Sequence, residues 1–166
     1  MKHIGTLALI LLLVGCGSAK ISSEHQRYNE QRLAVAVQQK LDSRNYRIEV
    51  NYMIPLRTAA KVLTSPYSLK VKNDSIFSHL PYYGNAHSAG YGDLGGGGLV
   101  FDAPIKEYTD LGTKKDRHTI IIDVATSGDV LRYTLTVFDN GNTDINVSSR
   151  NRDDISYRGT LRFQDK

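Results

Sequence analysis

The feature that most constrains this chain is a period of two in its apolar residues, which begins at Tyr46 and recurs almost to the C-terminal end. In the first run, Tyr46, Ile48 and Val50 alternate with charged and polar residues. Successive side chains of a strand point to opposite faces, so the alternation predicts strands with one apolar and one hydrated face. Further short runs of strand-forming residues lie at 67–71, 76–80, 99–101, 120–124, 131–137, 145–147 and 155–163.

Short turn sequences separate several of these runs. Asn73-Asp74 and Ser127-Gly128-Asp129 lie between neighbouring runs, and Asp139-Asn140-Gly141-Asn142 is the strongest turn signal in the chain. Strands joined by short turns pair with their sequence neighbours in antiparallel order. We therefore expect a curved antiparallel sheet of about eight strands, in the form of a barrel or half-barrel.

A helix is expected before the first strand. Ser23 and Gln26 have the spacing of a capping box, and Leu33, Val37 and Leu41 follow at helical intervals. The apolar stripe is narrow, which is typical of a helix that packs one side on a domain. The predicted fold class is α+β, mostly β, with the N-terminal helix packed on the curved sheet.

The N-terminal region has the parts of an export signal. Lys2 supplies the positive charge, residues 7–14 are apolar, and Leu13-Val14-Gly15-Cys16 resembles the lipobox of bacterial lipoproteins. The apolar run is shorter than the roughly 20 residues that span a bilayer. The sequence predicts a signal peptide at 1–15, a lipidated Cys16 with a polar tether at 16–23, and one domain at 24–166. A plain secretory signal with an accidental cysteine is the alternative.

The resemblance to bacterial lipoproteins also implies a location in the cell envelope. Gly17 stands where an aspartate retains such proteins at the inner membrane, and residues 17–23 hold no acidic cluster of the kind associated with surface display. We expect a palmitate-bearing lipoprotein of the outer membrane that faces the periplasm, with the cell surface as the alternative.

Composition argues against several classes of site. Cys16 is the single cysteine of the 166 residues, so disulfides, thiolate metal sites and cysteine nucleophiles are not expected. The net charge of +4 is small and the basic residues are interspersed with acids, so no nucleic-acid partner is expected. His79, His87, Asp93 and Asp102 match no metal-ligand spacing, and His25 and His118 have no partner pattern. No metal and no cofactor are predicted.

The segment 82–98 combines aromatic residues with many glycines. Tyr82, Tyr83, His87 and Tyr91 lie in it, and Gly95 to Gly98 are followed by a strand-like Leu99 rather than by the Lys-Ser or Lys-Thr of a phosphate loop. One interpretation is a connection whose tyrosines cover the end of the core. The other is a contact surface for a ligand or partner, formed by Tyr82, Tyr83, His87 and Tyr91.

Catalytic motifs are weak in this sequence. No Gly-x-Ser-x-Gly is present, and Asp153 and Asp154 are adjacent, so on an extended chain their carboxylates point to opposite sides. A charged turn before the last strand is the preferred interpretation of this pair. We expect a non-enzymatic binding or structural module, anchored to the membrane by its lipid, with an apolar ligand or an envelope protein as partner. A small periplasmic hydrolase is the alternative.

Several segments in a fixed order resemble the domain-of-unknown-function family 4251 of Bacteroidetes-type lipoproteins. They are residues 63–69 (LTSPYSL), 80–84 (LPYYG), 103–108 (APIKEY) and 138–141 (FDNG), the last leading to Asn151-Arg152. The resemblance implies an exported lipoprotein domain and carries no catalytic residues. Asp74-Ser75-Ile76 resembles the acceptor of O-linked glycans on periplasmic proteins of that group, so Ser75 is a candidate glycosylation site.

Overall fold

One helix and eight strands make up the described part of the chain. The computed structural model describes residues 18–85 and 98–163. The elements are α1 (Ser18–Asp42), β1 (Asn45–Pro55), β2 (Lys61–Lys72), β3 (Ser75–Leu80), β4 (Leu99–Lys114), β5 (Arg117–Ala125), β6 (Val130–Phe138), β7 (Asn142–Ser149) and β8 (Ile155–Arg162).

The strands form a closed barrel in sequence order. Each strand pairs with the next in antiparallel register, and β1 also pairs with β8, with Ile48 opposite Leu161. The mostly β prediction and the antiparallel order are confirmed, and of barrel and half-barrel the barrel is the correct form. Because closure leaves no open first or last strand, the β1–β8 pairing protects both sheet edges from association.

The barrel interior is filled by the apolar side chains of alternate positions. Tyr46, Tyr133 and Tyr157 are among the largest, and each is at most 1% exposed. The other members include Ile48, Leu69, Val71, Ile76, Leu80, Leu99, Ile120, Ile122, Val124, Leu131, Leu135, Val137 and Leu161. An interior of eight strands is just wide enough for side chains to fill.

The hydroxyl groups of the interior tyrosines are hydrogen-bonded to protein atoms. Tyr133 donates to Ser78 Oγ at 3.2 Å, and Ser78 in turn donates to the carbonyl oxygen of Leu99 at 2.7 Å. Tyr157 donates to the carbonyl oxygen of Pro81 at 2.6 Å. Burial raises the pKa of both Tyr133 and Tyr157 well above the usual range. These tyrosines therefore remain neutral and satisfied inside the barrel.

A β-bulge in β1 changes which side chains face water. The pairing register shifts between Val50 and Tyr52, and as a result Asn51 and Tyr52 are both exposed although they are adjacent. Gly159 of β8 lies opposite this bulge. A Cβ atom at Gly159 would stand 2.2 Å from the carbonyl oxygen of Glu49, so only glycine fits the close approach of the two strands.

Most predicted strands and turns agree with the structure, and β4 is the largest difference. Only residues 99–101 of this strand were expected, whereas it continues to Lys114. Its burial does not alternate cleanly, and its pairing with β5 shifts register twice, so a period of two is not visible in its sequence. The three predicted turns all lie between consecutive strands.

Helix α1 extends further toward the N-terminus than its capping-box signal predicted. It begins at Ser18 rather than near Ser23, so it includes most of the segment expected as a tether. The chain divides into two compact units at Arg32 and Leu33. In the second unit, Val37 and Leu41 of α1 belong to the hydrophobic core. Among the described residues, no helix is both long enough and apolar enough to cross a bilayer.

Candidate functional site

The connections of the barrel are longer at one end than at the other. The antiparallel order places residues 56–60, 81–85, 126–129 and 150–154 at the same end, here called the loop end. The opposite end carries the tight turns at 43–44, 73–74, 115–116 and 139–141. Two of the predicted contact residues, Tyr82 and Tyr83, lie at the loop end.

Asp153 joins three of these connections. Its carboxylate is 5% exposed and accepts hydrogen bonds from Arg57 Nε at 3.1 Å and from the backbone N–H of Asn85 at 3.2 Å. The backbone N–H of Asp153 donates to the carbonyl oxygen of Asn85 at 3.0 Å. Asp153 lies in the connection before the last strand, as the charged-turn interpretation predicted, but its side chain is buried and paired. It lies two positions before the inward-facing Ile155, and this spacing is the signal that would have predicted its burial.

The side chain of Tyr82 contacts Asn85, Arg152 and Asp153 at the loop end. Its hydroxyl lies 3.1 Å from the carbonyl oxygens of both Asn85 and Asp153, and the guanidinium of Arg152 lies 5.3 Å from the centre of its ring. Burial, and then the carboxylate of Asp153, raise the pKa of Tyr82. The contacts give Tyr82 the role of a cover over the barrel end, which is one of the two functions expected for this segment.

A second buried carboxylate fixes the neighbouring turns. Asp129 accepts a hydrogen bond from Ser149 Oγ at 2.5 Å, and Arg152 Nε lies 3.8 Å from the same carboxylate oxygen. Asn151 Nδ2 donates to the carbonyl oxygen of Gly128 at 2.8 Å. Within residues 18–85 and 98–163, the partner of the Ser149 hydroxyl is a carboxylate rather than a histidine, and the cluster holds the β5–β6 and β7–β8 connections together.

Tyr83 is the exposed residue of the predicted contact set. Its side chain is 50% exposed, and Lys61 Nζ lies 3.6 Å from the centre of its ring. Leu56 and Val62, of the first connection and the strand after it, are 63% and 64% exposed. The remaining predicted contact residues, His87 and Tyr91, lie outside the described residues.

One cluster that the sequence did not predict lies at the opposite end of the barrel. His118, expected to have no partner, is buried, with Nε2 at 2.7 Å from Asp110 Oδ1 and Nδ1 at 2.9 Å from Thr113 Oγ1. Thr113 Oγ1 also donates to Gln38 Oε1 of α1 at 3.3 Å. His118 is inward-facing because it lies two residues before Ile120, so the strand period would have predicted its burial.

Asp110, His118 and Thr113 are hydrogen-bonded in the order of a catalytic triad, with a carboxylate, an imidazole and a hydroxyl. Two contacts favour a structural role instead. The Thr113 hydroxyl is engaged by Gln38, and the N–H of Gly112, which is the backbone donor next to Thr113, donates to Asp110 at 2.7 Å. A relay for acyl transfer needs a free hydroxyl and a backbone donor aimed at the substrate. The cluster instead fastens the irregular β4–β5 pairing to α1.

The other predicted sites are distributed over the surface. His79 is exposed on β3 and faces away from the buried Leu80, as the strand period predicted. Ser75 is the half-buried first residue of β3, directly after the turn that contains Asn73 and the exposed Asp74. Within residues 18–85 and 98–163, no three acidic, histidine or cysteine side chains form a group suited to a metal ion. Cys16 lies outside the described residues.

Comparison with known proteins gives a family. The sequence profile described as "Domain of unknown function (DUF4251)" matches residues 28–161. A crystal structure of a DUF4251 family protein from Bacteroides eggerthii DSM 20697, at 1.95 Å resolution, is similar in fold with a TM-score of 0.59 and 16% sequence identity. The similarity covers 78% of this chain and 86% of that one. No curated protein matches. The match over residues 28–161, which is most of the chain, shows that this protein belongs to the DUF4251 family.

Proposed function

We propose that this protein is an envelope lipoprotein, anchored through a lipid on Cys16, whose barrel is a non-catalytic module that binds another envelope protein. The observation that carries the proposal is the filled interior of the barrel. Tyr46, Tyr133 and Tyr157 occupy the space in which a lipocalin-like barrel would hold a ligand, and their hydroxyls are bonded to other protein groups. This arrangement supports an external partner in preference to an apolar ligand inside the barrel.

Support for the anchor comes from the sequence. Cys16 follows an apolar segment of the length of a signal peptide, and the chain has no other cysteine. An acyl chain contributes about 0.8 kcal/mol of membrane affinity per buried methylene, so two or three chains hold a protein on a bilayer permanently. The module would then act at a fixed membrane surface, where a partner is encountered at high local concentration.

The loop end is the proposed contact surface. Tyr83 presents half of its side chain to water beside Lys61, and Leu56 and Val62 add exposed apolar surface. Tyrosine offers a large contact area with a polar tip at a small cost in rotamer entropy, which suits protein recognition. Asp153, Asp129 and Tyr82 hold the connections in place beneath this surface. A rigid support of that kind lowers the entropy lost on binding.

The experiment is capture of partners from chemically crosslinked envelopes. We compare the native protein with the double variant Tyr83→Ser/Tyr91→Ser, and use Tyr28→Ser as the matched control because Tyr28 is an exposed tyrosine on α1, 59% exposed. The proposal expects the double variant to lose the captured protein while its melting temperature is unchanged and the control retains capture. Retained capture together with a lower melting temperature would assign the rings to stability and remove the loop end as a contact surface.

A small hydrolase is the competing function, and the Asp110–His118–Thr113 cluster is the observation in its favour. We expect the purified protein to hydrolyse p-nitrophenyl acetate no faster than a His118→Gln variant does. A rate that falls at least 100-fold in both His118→Gln and Thr113→Ala would support the hydrolase and contradict a non-catalytic module.

A further inference from the structure

The outer wall of the barrel carries a groove of about 500 Å³ that shares no lining residue with the loop-end surface, although its Tyr52 is opposite Val62 of β2. It crosses β1, β8, β7 and the turn after β6. The residues that define it, here called the Tyr52 groove, are Tyr52, Asn140, Asn142, Asp144, Arg158 and Thr160. The two interstrand steps from β1 to β7, of about 4.8 Å each, give this surface a width of about 10 Å.

The strand register places these side chains side by side. Tyr52 is opposite Arg158, and Arg158 is opposite Asp144, so the three form one row across the wall. Thr160 is opposite Asn142 in the next row. Backbone pairing of β1, β8 and β7 fixes the rows, so the groove is a preformed surface.

The β1 bulge and Gly159 together make the groove. The bulge brings Tyr52 to the outer face, where 42% of its side chain is exposed, although strict alternation after Val50 would have made position 52 inward-facing. Bulges of this kind re-aim side chains at functional sites. Gly159 permits the close approach of β1 and β8 from an inward-facing position of β8.

The chemistry of the groove fits a neutral polyol. The Arg158 guanidinium lies 3.2 Å from the Asp144 carboxylate, so their charges balance and the groove offers no net attraction to an anion. Asn142 contributes an amide and Thr160 a hydroxyl, and Asn140 contributes an amide whose oxygen already accepts from the Asn142 backbone N–H at 2.9 Å. These groups are donors and acceptors that match sugar hydroxyls. The ring of Tyr52 provides a flat apolar surface of the kind that packs on the C–H face of a pyranose.

We propose that the Tyr52 groove is a binding site for an uncharged oligosaccharide. The sugar ring would pack on Tyr52, and its hydroxyl groups would bond to Asp144, Arg158 and Asn142. This site shares no residue with the lipid anchor or with the loop-end surface. A protein with both surfaces would bind an envelope protein at one and a glycan at the other.

The test is a titration of the full chain, isotopically labelled and held in a sugar-free zwitterionic detergent, with chitotetraose, cellotetraose and maltotetraose in turn. The backbone amide signals of Tyr52, Asn142 and Arg158 report on the groove. We expect one of the three sugars to shift these signals at millimolar concentration. Tyr52→Ala should weaken that binding by roughly threefold to tenfold, the range typical of one aromatic contact.

The matched control is Tyr83→Ala, which removes an exposed tyrosine at the loop end and should leave the sugar affinity unchanged. A second variant, Asn142→Ala, should weaken binding as well, because it removes an amide without removing a ring. Three results would each overturn the proposal. They are no shift with any of the sugars, shifts that survive Tyr52→Ala, and shifts that appear at the loop end and disappear in Tyr83→Ala.

Discussion

The carboxylate of Asp153 accepts a hydrogen bond from Arg57 Nε at 3.1 Å, and the two residues are 96 positions apart in the sequence. The Asp153 side chain is 5% exposed, whereas that of Arg57 is 64% exposed. The contact joins the β1–β2 and β7–β8 connections, and the bond from Asn85 N–H adds the start of the third. The buried carboxylate of Asp153 thus links three of the connections at the loop end.

The asymmetry in exposure predicts unequal effects of two substitutions. Asp153→Ala removes the buried carboxylate that accepts hydrogen bonds from two other connections and should lower the free energy of unfolding by about 1–3 kcal/mol. Arg57→Ala removes a mostly hydrated partner and should cost about 0–1 kcal/mol. Urea denaturation of both variants measures the difference. Equal losses would contradict the view that Asp153 has a role beyond this one ion pair.

The buried tyrosines predict a loss of stability in alkali. Burial raises the pKa of Tyr46, Tyr133 and Tyr157 in the folded state, so above about pH 10 the unfolded chain releases protons that the folded chain retains. The stabilisation is complete below that pH and is lost as the pH rises toward the folded-state pKa values. Each tyrosine should lower the free energy of unfolding by about 1.4 kcal/mol per pH unit.

Tyr133→Phe isolates one of these groups. The variant lacks the hydrogen bond to Ser78 and should be about 1 kcal/mol less stable at neutral pH. Its stability should also fall less steeply between pH 10 and 11, by about 1.4 kcal/mol per unit, because one titrating group is gone. Denaturation measured across that interval gives both quantities. An unchanged slope would mean that Tyr133 ionises equally in the folded and unfolded states.

Alanine substitutions at Gly159 and Gly112 compare the cost of a steric clash with the cost of backbone strain. Gly159→Ala would place Cβ 2.2 Å from the carbonyl oxygen of Glu49, so β1 and β8 must move apart, at a cost of about 1–3 kcal/mol or more. Gly112→Ala meets no atom within 4 Å and carries only the strain of φ +74°, about 1 kcal/mol. Thermal denaturation should therefore rank Gly159→Ala as the more damaging change. The reverse order would show that β1 and β8 adjust freely at the bulge.

Ser75 remains a predicted site of O-linked glycosylation. Its position after the turn at residues 73–74 gives a transferase access to an exposed Asp74 and to a half-buried Ser75. Native protein should carry a glycan mass that is absent from Ser75→Ala, and Ser68→Ala on the neighbouring strand β2 serves as the control. A native mass that consists of polypeptide and lipid alone would remove the prediction.

The sequence was sufficient to predict the barrel strands with regular alternation. Ile120, Ile122 and Val124 in β5 and Leu131, Tyr133 and Leu135 in β6 each carry the period of two, because one face is fully buried. Strand β4 lacks that period since two register shifts and a half-exposed surface interrupt it. The sequence did not distinguish a closed barrel from a half-barrel. Closure depends on the β1–β8 pairing, which joins segments distant in the sequence and produces no local sequence pattern.

The candidate site was less accessible to prediction for a similar reason. Tyr83 was identified by its composition, an aromatic residue in a glycine-rich segment. The partners of Asp153 come from β1–β2 and β3–β4, and the partners of His118 include Gln38 of α1, so only the closed barrel brings them together. The groove at Tyr52 depends on a bulge that shifts one residue to the other face. A register shift of one residue determines whether Tyr52 faces inward or outward. The alternation of apolar and polar residues in β1 does not reveal that shift.

The central claim is an anchored module, and the mass of the mature N-terminal peptide tests it most directly. Native protein is extracted from cell envelopes, digested, and its N-terminal peptide is measured by mass spectrometry. We expect a peptide that begins at Cys16 and carries a diacylglyceryl thioether and an acylated amine. A peptide that retains residues 1–15, or one with an unmodified Cys16 thiol, would contradict it.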